Sequence, residues 1–209
     1  MRILIACEES QAACIAMRDL GHEAYSCDIQ ECSGGHPEWH IQADALELLK
    51  LKWDMIIAHP PCTYLSNLGA ANLKKNGVIN EERMKKAIVA KEFFMKFIEA
   101  DCSRIAVENP VPQKIHGLPP YTQIIQPYMF GHPWKKKTCL WLKGLPPLFA
   151  TEIVQPKDCW VKTTHKGRAY TYSNCENKGY RDAKMRSKTF QGIARAMAEQ
   201  WAGRCEEEC

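Results

Sequence analysis

The chain has 209 residues, of which 45% are hydrophobic, and this is enough for one domain with a sizeable insertion. No apolar run approaches the roughly 18 residues of a membrane helix, and Glu8 and Glu9 interrupt the apolar start, so we expect neither a membrane span nor a signal peptide. Eleven cysteines in such a chain indicate reduced thiols in a cytoplasm, which excludes a disulfide framework.

Charge is distributed unevenly, although the formal net charge is only +4. Residues 1–100 carry 11 Lys and Arg against 14 Asp and Glu, whereas residues 135–188 carry 13 against 4. Aromatic residues interleave with the charges of this basic segment, and bases can stack on them. The segment therefore predicts a nucleic-acid partner, with a solvated basic surface as the alternative.

The first elements form a strand–helix–strand unit over residues 3–6, 9–20 and 22–27. Asp28 ends the second strand, where nucleotide-binding α/β domains hold a ribose hydroxyl. The turn after the first strand, residues 7–10, has no glycine to cradle a phosphate. The pattern therefore favours a nucleoside cofactor without phosphates, whose positive charge would suit an acidic turn.

The central stretch is a short apolar run, residues 55–58, that stops at His59-Pro60-Pro61-Cys62. Such a run closed by prolines predicts a buried parallel strand, and ligands bind beyond the carboxyl ends of such strands. Cys62 is therefore a candidate nucleophile, although a small buried hydrophobe is the alternative for a lone cysteine. Before this strand, Asp44 opens a short helix over residues 45–51 as its candidate cap.

A second candidate group follows the next strand. Residues 69–80 predict a mobile loop that could close over substrate, and residues 81–100 predict the longest helix. The strand at 104–107 then ends at Glu108-Asn109-Pro110, so adjacent strands would deliver a thiol and a carboxyl to one edge. We expect a partly buried Glu108 with a raised pKa, able to donate a proton near neutrality, rather than a surface acid.

The remaining chain predicts strands over residues 124–130 and 138–142, a loop-rich segment, and a last helix over 188–201 before a frayed tail. No CxxC pair accompanies Cys159, His165 and Cys175, so no metal site is predicted. The expected organisation is a catalytic core over 1–142, a basic insertion over 143–186, and a C-terminal helix with its tail over 187–209.

A thiol and a carboxylic acid at one sheet edge can activate a pyrimidine ring. The thiolate adds to carbon 6 while the acid protonates a ring nitrogen, and carbon 5 becomes nucleophilic. At these residues the chain resembles the DNA cytosine-5 methyltransferases: Pro60-Pro61-Cys62 is similar to their Pro-Cys motif, and Glu108-Asn109-Pro110 to their Glu-Asn-Val motif.

The resemblance implies an α/β class I S-adenosylmethionine-dependent methyltransferase fold, Rossmann-like, with a mostly parallel sheet and helices on both faces. Cys62 would attack carbon 6 of cytosine, and Glu108 would engage nitrogen 3. The segment 133–138 is similar to the Pro-Gln-x-Arg-x-Arg motif, with Lys136 at the first Arg as a third catalytic residue and Trp134 in place of Gln. The family's glycine-rich first motif is absent, and its recognition domain is cut to about forty residues, which is similar to compact phage-encoded enzymes.

The resemblance also implies positions for the cofactor, whereas the loop over 69–80 and the basic segment are expected to hold the phosphates of DNA. We expect a monomer in a bacterial cytoplasm. S-adenosylmethionine would lie near Ala6, Glu8, Ser10, Asp28, Ile29, Asp44, Ala45, Pro60 and Gln191, with Thr189 and Gly192 close by. DNA would contact Ser66, Asn67, Lys74, Lys75, Lys135, Lys137, Lys166, Arg168, Arg181 and Arg186.

Two other functions stay open. The small recognition segment also suits an enzyme that modifies a free pyrimidine nucleotide with the same Cys62 and Glu108. The altered first motif suits a non-catalytic nucleic-acid binder on a degenerate methyltransferase scaffold. An amino-group methyltransferase is disfavoured, because His59 and Cys62 stand at the two deciding positions of its Asp/Asn-Pro-Pro-aromatic turn.

Overall fold

The computed structural model describes residues 1–67, 70–75, 78–156, 160–165, 168–173 and 187–205. Its strands are β1 Arg2–Ala6, β2 Glu23–Asp28, β3 His40–Gln42, β4 Met55–Ala58, β5 Lys74–Lys75, β6 Val78–Ile79, β7 Ile105–Pro110, β8 Gln123–Ile125, β9 Thr138–Lys143, β10 Trp160–His165 and β11 Arg168–Ser173. Its α-helices are α1 Ala12–Arg18, α2 Ala45–Leu48, α3 Ala70–Leu73, α4 Glu81–Ile98 and α5 Gln191–Met197, which continues into a π-helical turn over Ala198–Ala202.

The main sheet of the described residues has seven strands in the order β3-β2-β1-β4-β7-β9-β8. The first five strands in this order, β3, β2, β1, β4 and β7, pair in parallel, whereas β9 pairs antiparallel with both β7 and β8. The strand order reverses between β1 and β4, which is the switch point where open α/β sheets bind ligands. This order, with one antiparallel strand near the edge, is that of the class I methyltransferase fold, so the predicted fold class is confirmed.

Helices cover both faces of the sheet, which explains why the central strands are apolar throughout. On one face, Ile3 and Ile5 of β1 join a buried cluster with residues of α1 and α5. On the other face, Leu4 joins a second cluster with Phe94 and Phe97 of α4. Alternate residues of one strand therefore serve two separate cores, as the alternation of side chains along a strand requires.

Three local predictions differ from the structure. The edge strand β3 was not predicted, because its sequence, His-Ile-Gln, has little apolar pattern. The helix expected from residue 9 begins at Ala12, because Gln11 takes a left-handed φ of 60° and precedes the first helical turn. The strand expected over 124–130 ends at Ile125, and Pro127, which has no N–H to donate, begins a 3-10 turn instead.

Two segments expected to be irregular contain regular structure. Within residues 69–80 the chain forms helix α3 and the β5–β6 hairpin, so the prediction of a simple loop there is wrong. The basic segment contains the antiparallel β10–β11 hairpin. Residues 157–159, 166–167 and 174–186 of that segment, which include Cys159 and Cys175, lie outside the described residues, as do 68–69, 76–77 and the last four residues of the tail.

Two negative findings apply to the described ranges. None of their helices is both long enough and apolar enough to cross a bilayer. No group of three or more His, Cys, Asp or Glu side chains among them is arranged to hold a metal ion.

Candidate active site

The candidate site lies at the carboxyl edge of the sheet, where the strand order reverses between the paired strands β1 and β4. The His59 N–H donates to the Ala6 carbonyl over 2.9 Å, and the Glu8 N–H donates to the Cys27 carbonyl over 3.0 Å. These bonds extend the parallel ladders by one step beyond the strands. The segments after β1 and β4 therefore begin from fixed backbone positions at the point where the strand order reverses.

Cys62 follows β4 after the two prolines and carries a half-buried thiol that is not in a disulfide. Its carbonyl accepts hydrogen bonds from the N–H groups of Leu65 and Ser66, at 3.1 and 3.0 Å. Cys62 is therefore the first residue of a hydrogen-bonded turn over residues 62–66. A rigid Pro-Pro segment on one side and this turn on the other hold its backbone at the sheet edge.

Glu108 lies inside β7 rather than after it, because β7 continues to Pro110 along its antiparallel partner β9. Relative to β4, however, the last parallel pair is Ala58 with Val107, so Glu108 comes directly after that pairing. The predicted strand end was wrong, but the predicted placement holds. Cys62 follows β4, and Glu108 follows the parallel pairing of β4 with its neighbour β7, at the same edge of the sheet.

His59 connects the two segments. Its Nδ1 lies 3.5 Å from Oε2 of Glu108, and the two side chains are only 9% and 19% exposed. The half-buried Lys136 precedes β9, and its charge acts on both groups. Sequence reasoning missed the role of His59, although a histidine between a buried strand and two prolines was the available signal.

The pKa values of this pair move in opposite directions. Burial alone would lower the pKa of His59, but the ion-pair contact with Glu108 and the charge of Glu8 outweigh it, so the pKa is raised. Burial alone would raise the pKa of Glu108, but the contact with His59 and the charge of Lys136 outweigh it, so the pKa is lowered. The expected raised pKa of Glu108 is therefore wrong, because its neighbours favour the ionised form.

Glu8 is a helix cap rather than an exposed ligand. Its side chain is buried, and its carboxylate accepts the N–H groups of Ala13 at 2.8 Å and Cys14 at 3.2 Å, at the start of α1. Burial raises the pKa of this carboxyl against those hydrogen bonds and the charge of His59. A direct contact of Glu8 with a cofactor stays a prediction, since both oxygens already accept backbone hydrogen bonds.

The loops after β4 and β7 are bonded directly to each other. The Asn67 N–H donates to the Val111 carbonyl and the Gln113 N–H to the Leu65 carbonyl, both over 2.9 Å, and the Gln113 side chain donates to the Ser66 carbonyl over 3.1 Å. Ser66 is buried at 4% exposure, so of the two expected DNA contacts in this loop only Asn67 is exposed.

The residues at the end of β2 fit the adenosine half of S-adenosylmethionine. Asp28 is half-buried, its Oδ1 accepts the Gln30 N–H at 2.9 Å, and the next side chain, Ile29, is 74% exposed. A carboxylate suits a ribose hydroxyl, and an exposed apolar side chain suits the face of a purine. Asp44 caps α2 by accepting the Leu46 N–H at 2.9 Å, and Ala45 is buried.

The turn after β1 is covered by the segment 33–36. Gln11 is fully buried; its Oε1 accepts the His36 N–H at 3.1 Å, and its Nε2 donates to the His36 carbonyl at 2.8 Å. Gly34 lies so close that a Cβ there would be 2.5 Å from the Gln11 Cβ. Of the cofactor residues expected nearby, Ser10 is half-buried, whereas Ala6 and Pro60 are buried.

The start of α5 reaches the same edge. The Gly192 N–H donates to Nε2 of His132 at 3.0 Å, Lys136 Nζ lies 5.9 Å from the centre of the Phe190 ring, and Lys188 donates to Ser33 Oγ at 3.1 Å. Gln191 is exposed and lines the groove between α1 and α5. The expected cofactor role of Gln191 stays a prediction.

Only part of the expected DNA surface is described. Lys74, Lys135 and Lys137 are exposed, whereas Lys75 in β5 and Arg168 in β11 are placed by their backbone alone. Three further residues, Lys166, Arg181 and Arg186, lie outside the described residues.

The fold and the edge residues together define an α/β protein of class I methyltransferase architecture with a thiol and a carboxyl at adjacent strands. No family model and no curated protein matches the sequence. Among solved structures, the chain is similar to an E. coli prophage-encoded protein whose assignment as a DNA modification methyltransferase is provisional. The identity is 14% and the TM-score 0.45, over 74% of this chain and 52% of the other, so the chain spans about half of that protein. A likeness at this level identifies neither a substrate nor a reaction.

Proposed function

We propose that this protein transfers a methyl group from S-adenosylmethionine to carbon 5 of cytosine in DNA. The observation that carries the proposal is that Cys62 follows β4, while Glu108 directly follows the last parallel pair between β4 and its neighbour β7, at the same edge of the sheet. His59, three residues before Cys62, contacts the Glu108 carboxylate directly. The segment that carries Cys62 is therefore in direct contact with the Glu108 carboxylate through His59.

The proposed roles follow from the chemistry of each side chain. Asp28 and Ile29 would hold the adenosine half of the cofactor, which supplies an electrophilic methyl group when bound. The Cys62 thiolate forms a bond to ring carbon 6, Glu108 hydrogen-bonds ring nitrogen 3, and Lys136 balances the carboxylate charge. Carbon 5 then carries electron density and would take the methyl group, while the electron pair of the broken sulfur–methyl bond would stay on the donor sulfur. Solvent water then takes the carbon 5 proton, the electron pair of that C–H bond restores the double bond between carbons 5 and 6, and the bond between carbon 6 and sulfur breaks and releases the thiolate.

Binding of duplex DNA requires positive charge for the phosphates and an element that fits a groove. Exposed Lys135 and Lys137 directly precede β9, beside the half-buried Lys136. The β10–β11 hairpin is a two-stranded ribbon in the basic segment, and ribbons of this kind fit the major groove. The target cytosine must leave the base stack to reach Cys62. A recognition segment this small predicts a short target sequence.

Covalent trapping tests the proposal. The protein is incubated with S-adenosylmethionine and a mixed-sequence duplex that contains 5-fluorocytosine, whose fluorine blocks the final elimination, and the product is analysed by intact mass. We expect an adduct that is lost in Cys62→Ala and kept in Cys205→Ala, the matched removal of an exposed thiol near the end of α1.

The same assay distinguishes the alternatives. An adduct with 5-fluoro-dCMP but not with DNA would contradict a DNA substrate and support an enzyme acting on a free pyrimidine nucleotide. Absence of both adducts, together with no binding of S-adenosylmethionine in a calorimetric titration, would contradict catalysis and support a nucleic-acid binder on a degenerate scaffold.

A further inference from the structure

His59 is a buried titratable residue to which the proposed methyl transfer assigns no role so far. Its backbone N–H is tied to the Ala6 carbonyl, and Pro60 follows directly, so the position of the residue is fixed. Its ring Nδ1 lies 3.5 Å from Glu108 Oε2, and its side chain is only 9% exposed. Neither the thiol addition nor cofactor binding requires an imidazole at this point.

Charged groups from three elements surround this imidazole. Glu8 approaches from the turn after β1, Glu108 from β7, and Lys136 from the segment before β9. A protonated imidazole gives the Glu108 carboxylate a positive partner at 3.5 Å in a largely buried cluster, in agreement with the raised pKa of His59 and the lowered pKa of Glu108.

This charge state leaves a requirement of the reaction unmet. An acid that protonates ring nitrogen 3 needs a proton, yet the resting pair holds Glu108 as a carboxylate. We propose, on the basis of the proposed function, that His59 is the positioning residue that stores this proton and passes it to Glu108 when cytosine binds. The pair then acts as one acid, which titrates as a unit.

The transfer balances in atoms and charge. The Nδ1–H bond of the imidazolium breaks, an O–H bond forms on Oε2, and both partners become neutral. The carboxyl then releases its proton to ring nitrogen 3 as the thiolate adds to carbon 6, and Glu108 is again a carboxylate. When the thiolate leaves after methylation, nitrogen 3 returns the proton to Glu108, and from there it moves back to His59.

The surroundings of the other ring nitrogen restrict the path. Nε2 of His59 is buried and has no hydrogen-bond partner among the described residues. Since Nδ1 faces the carboxylate, the short route for the proton runs through Glu108 rather than through bulk water. His59 therefore acts through Glu108.

The pH dependence of adduct formation with 5-fluorocytosine DNA tests the proposal in the full chain. For the wild type, the rate should fall as pH rises through the His59 pKa, because the stored proton is then lost. In His59→Asn, which keeps a side-chain N–H but cannot ionise, the rate near neutrality should fall by roughly 100-fold, the lower end of acid–base assistance. Its descending limb should also move to lower pH, because Glu108 alone must then hold the proton.

The matched control is His116→Asn, since His116 is also buried and its Nε2 also lacks a hydrogen-bond partner among the described residues, but its charged neighbours are Arg83 and Lys91. We expect the wild-type pH profile for this variant. A His59→Asn profile that is lowered equally at every pH, with its limb unmoved, would overturn the proposal and leave His59 a structural role.

A second measurement needs no turnover. Histidine ring signals followed by NMR in the ligand-free chain should show His59 titrating above the ordinary value of about 6.5 in the wild type and at clearly lower pH in Glu108→Gln. An unchanged His59 titration in Glu108→Gln would overturn the proposal that His59 and Glu108 share a proton. If the pair titrates as expected but the wild type forms no adduct with DNA or nucleotide, the proposed function fails while the proton-sharing pair stands.

Discussion

Substitution of Gly34 by alanine should destabilise the fold, because the backbone of Gly34 packs closely against the turn after β1. A Cβ there would lie 2.5 Å from the Gln11 Cβ and 2.7 Å from the Ser10 carbonyl oxygen, whereas carbon contacts are ordinarily about 3.5–4.0 Å. The segment 33–36 must therefore move by about 1 Å. Overpacking of this kind costs about 1–3 kcal/mol, and loss of the paired bonds between Gln11 and His36 costs about 1 kcal/mol each.

The free energy of unfolding of Gly34→Ala should therefore fall by about 3–5 kcal/mol, which corresponds to a drop in Tm of about 6–20 °C for a chain of this size. Thermal unfolding followed by circular dichroism measures the change. The control is Gly35→Ala, where a Cβ meets nothing within 4 Å and only the left-handed φ of 92° opposes alanine, at about 1–2 kcal/mol. A Gly34→Ala variant at least as stable as Gly35→Ala would refute the packing argument.

Three further outcomes are expected. Phe94→Ala should lower the free energy of unfolding in urea by about 3–5 kcal/mol because Phe94 is fully buried, whereas Ile88→Ala on the same helix, 51% exposed, should change it little. The double variant Lys135→Gln, Lys137→Gln should reduce the slope of log K against log salt for DNA binding by about 2, and an unchanged slope would exclude both from phosphate contact. The stability advantage of the wild type over Glu108→Gln should be largest between about pH 4.5 and 6.5. It should shrink as acid protonates Glu108 through its lowered pKa and as base deprotonates its histidine partner through its raised pKa, and a pH-independent difference would contradict the ion pair.

The central fold could be predicted because its strands are short apolar runs bounded by clear stops. Strands β1, β2, β4 and β9 begin or end within a residue of their predicted bounds. The edge strand β3 could not, since its short polar sequence forms a strand through pairing with β2 rather than through an apolar pattern. The β10–β11 hairpin was missed although its sequences, WVKTTH and RAYTYS, are rich in the aromatic, Val and Thr residues that favour strands. The buried stripe of α4 passes through Ala87, Phe94 and Phe97, so Ile88 on the same helix is exposed although it is apolar.

The part of the candidate site that could be predicted is the part that the geometry of parallel strands determines. Cys62 and Glu108 share an edge because the carboxyl ends of β4 and β7 do. The ionisation of Glu108 was not predictable, because it depends on His59 and on Lys136, which the antiparallel register of β9 brings alongside. The covering of the first turn by Gln11 and the segment 33–36 had one available signal, the adjacent Gly34 and Gly35.

The hydrogen bonds between the loop after Cys62 and the loop after Glu108 have an entropic consequence. Drawing a cytosine out of the duplex costs a few kcal/mol of stacking and pairing, and any ordering of catalytic loops would add to that cost. Because residues 65–67 are bonded to residues 111–113 in the folded chain, their conformational entropy is lost at folding rather than at binding. If the proposed methyl transfer holds, more of the binding free energy is then available to displace the base.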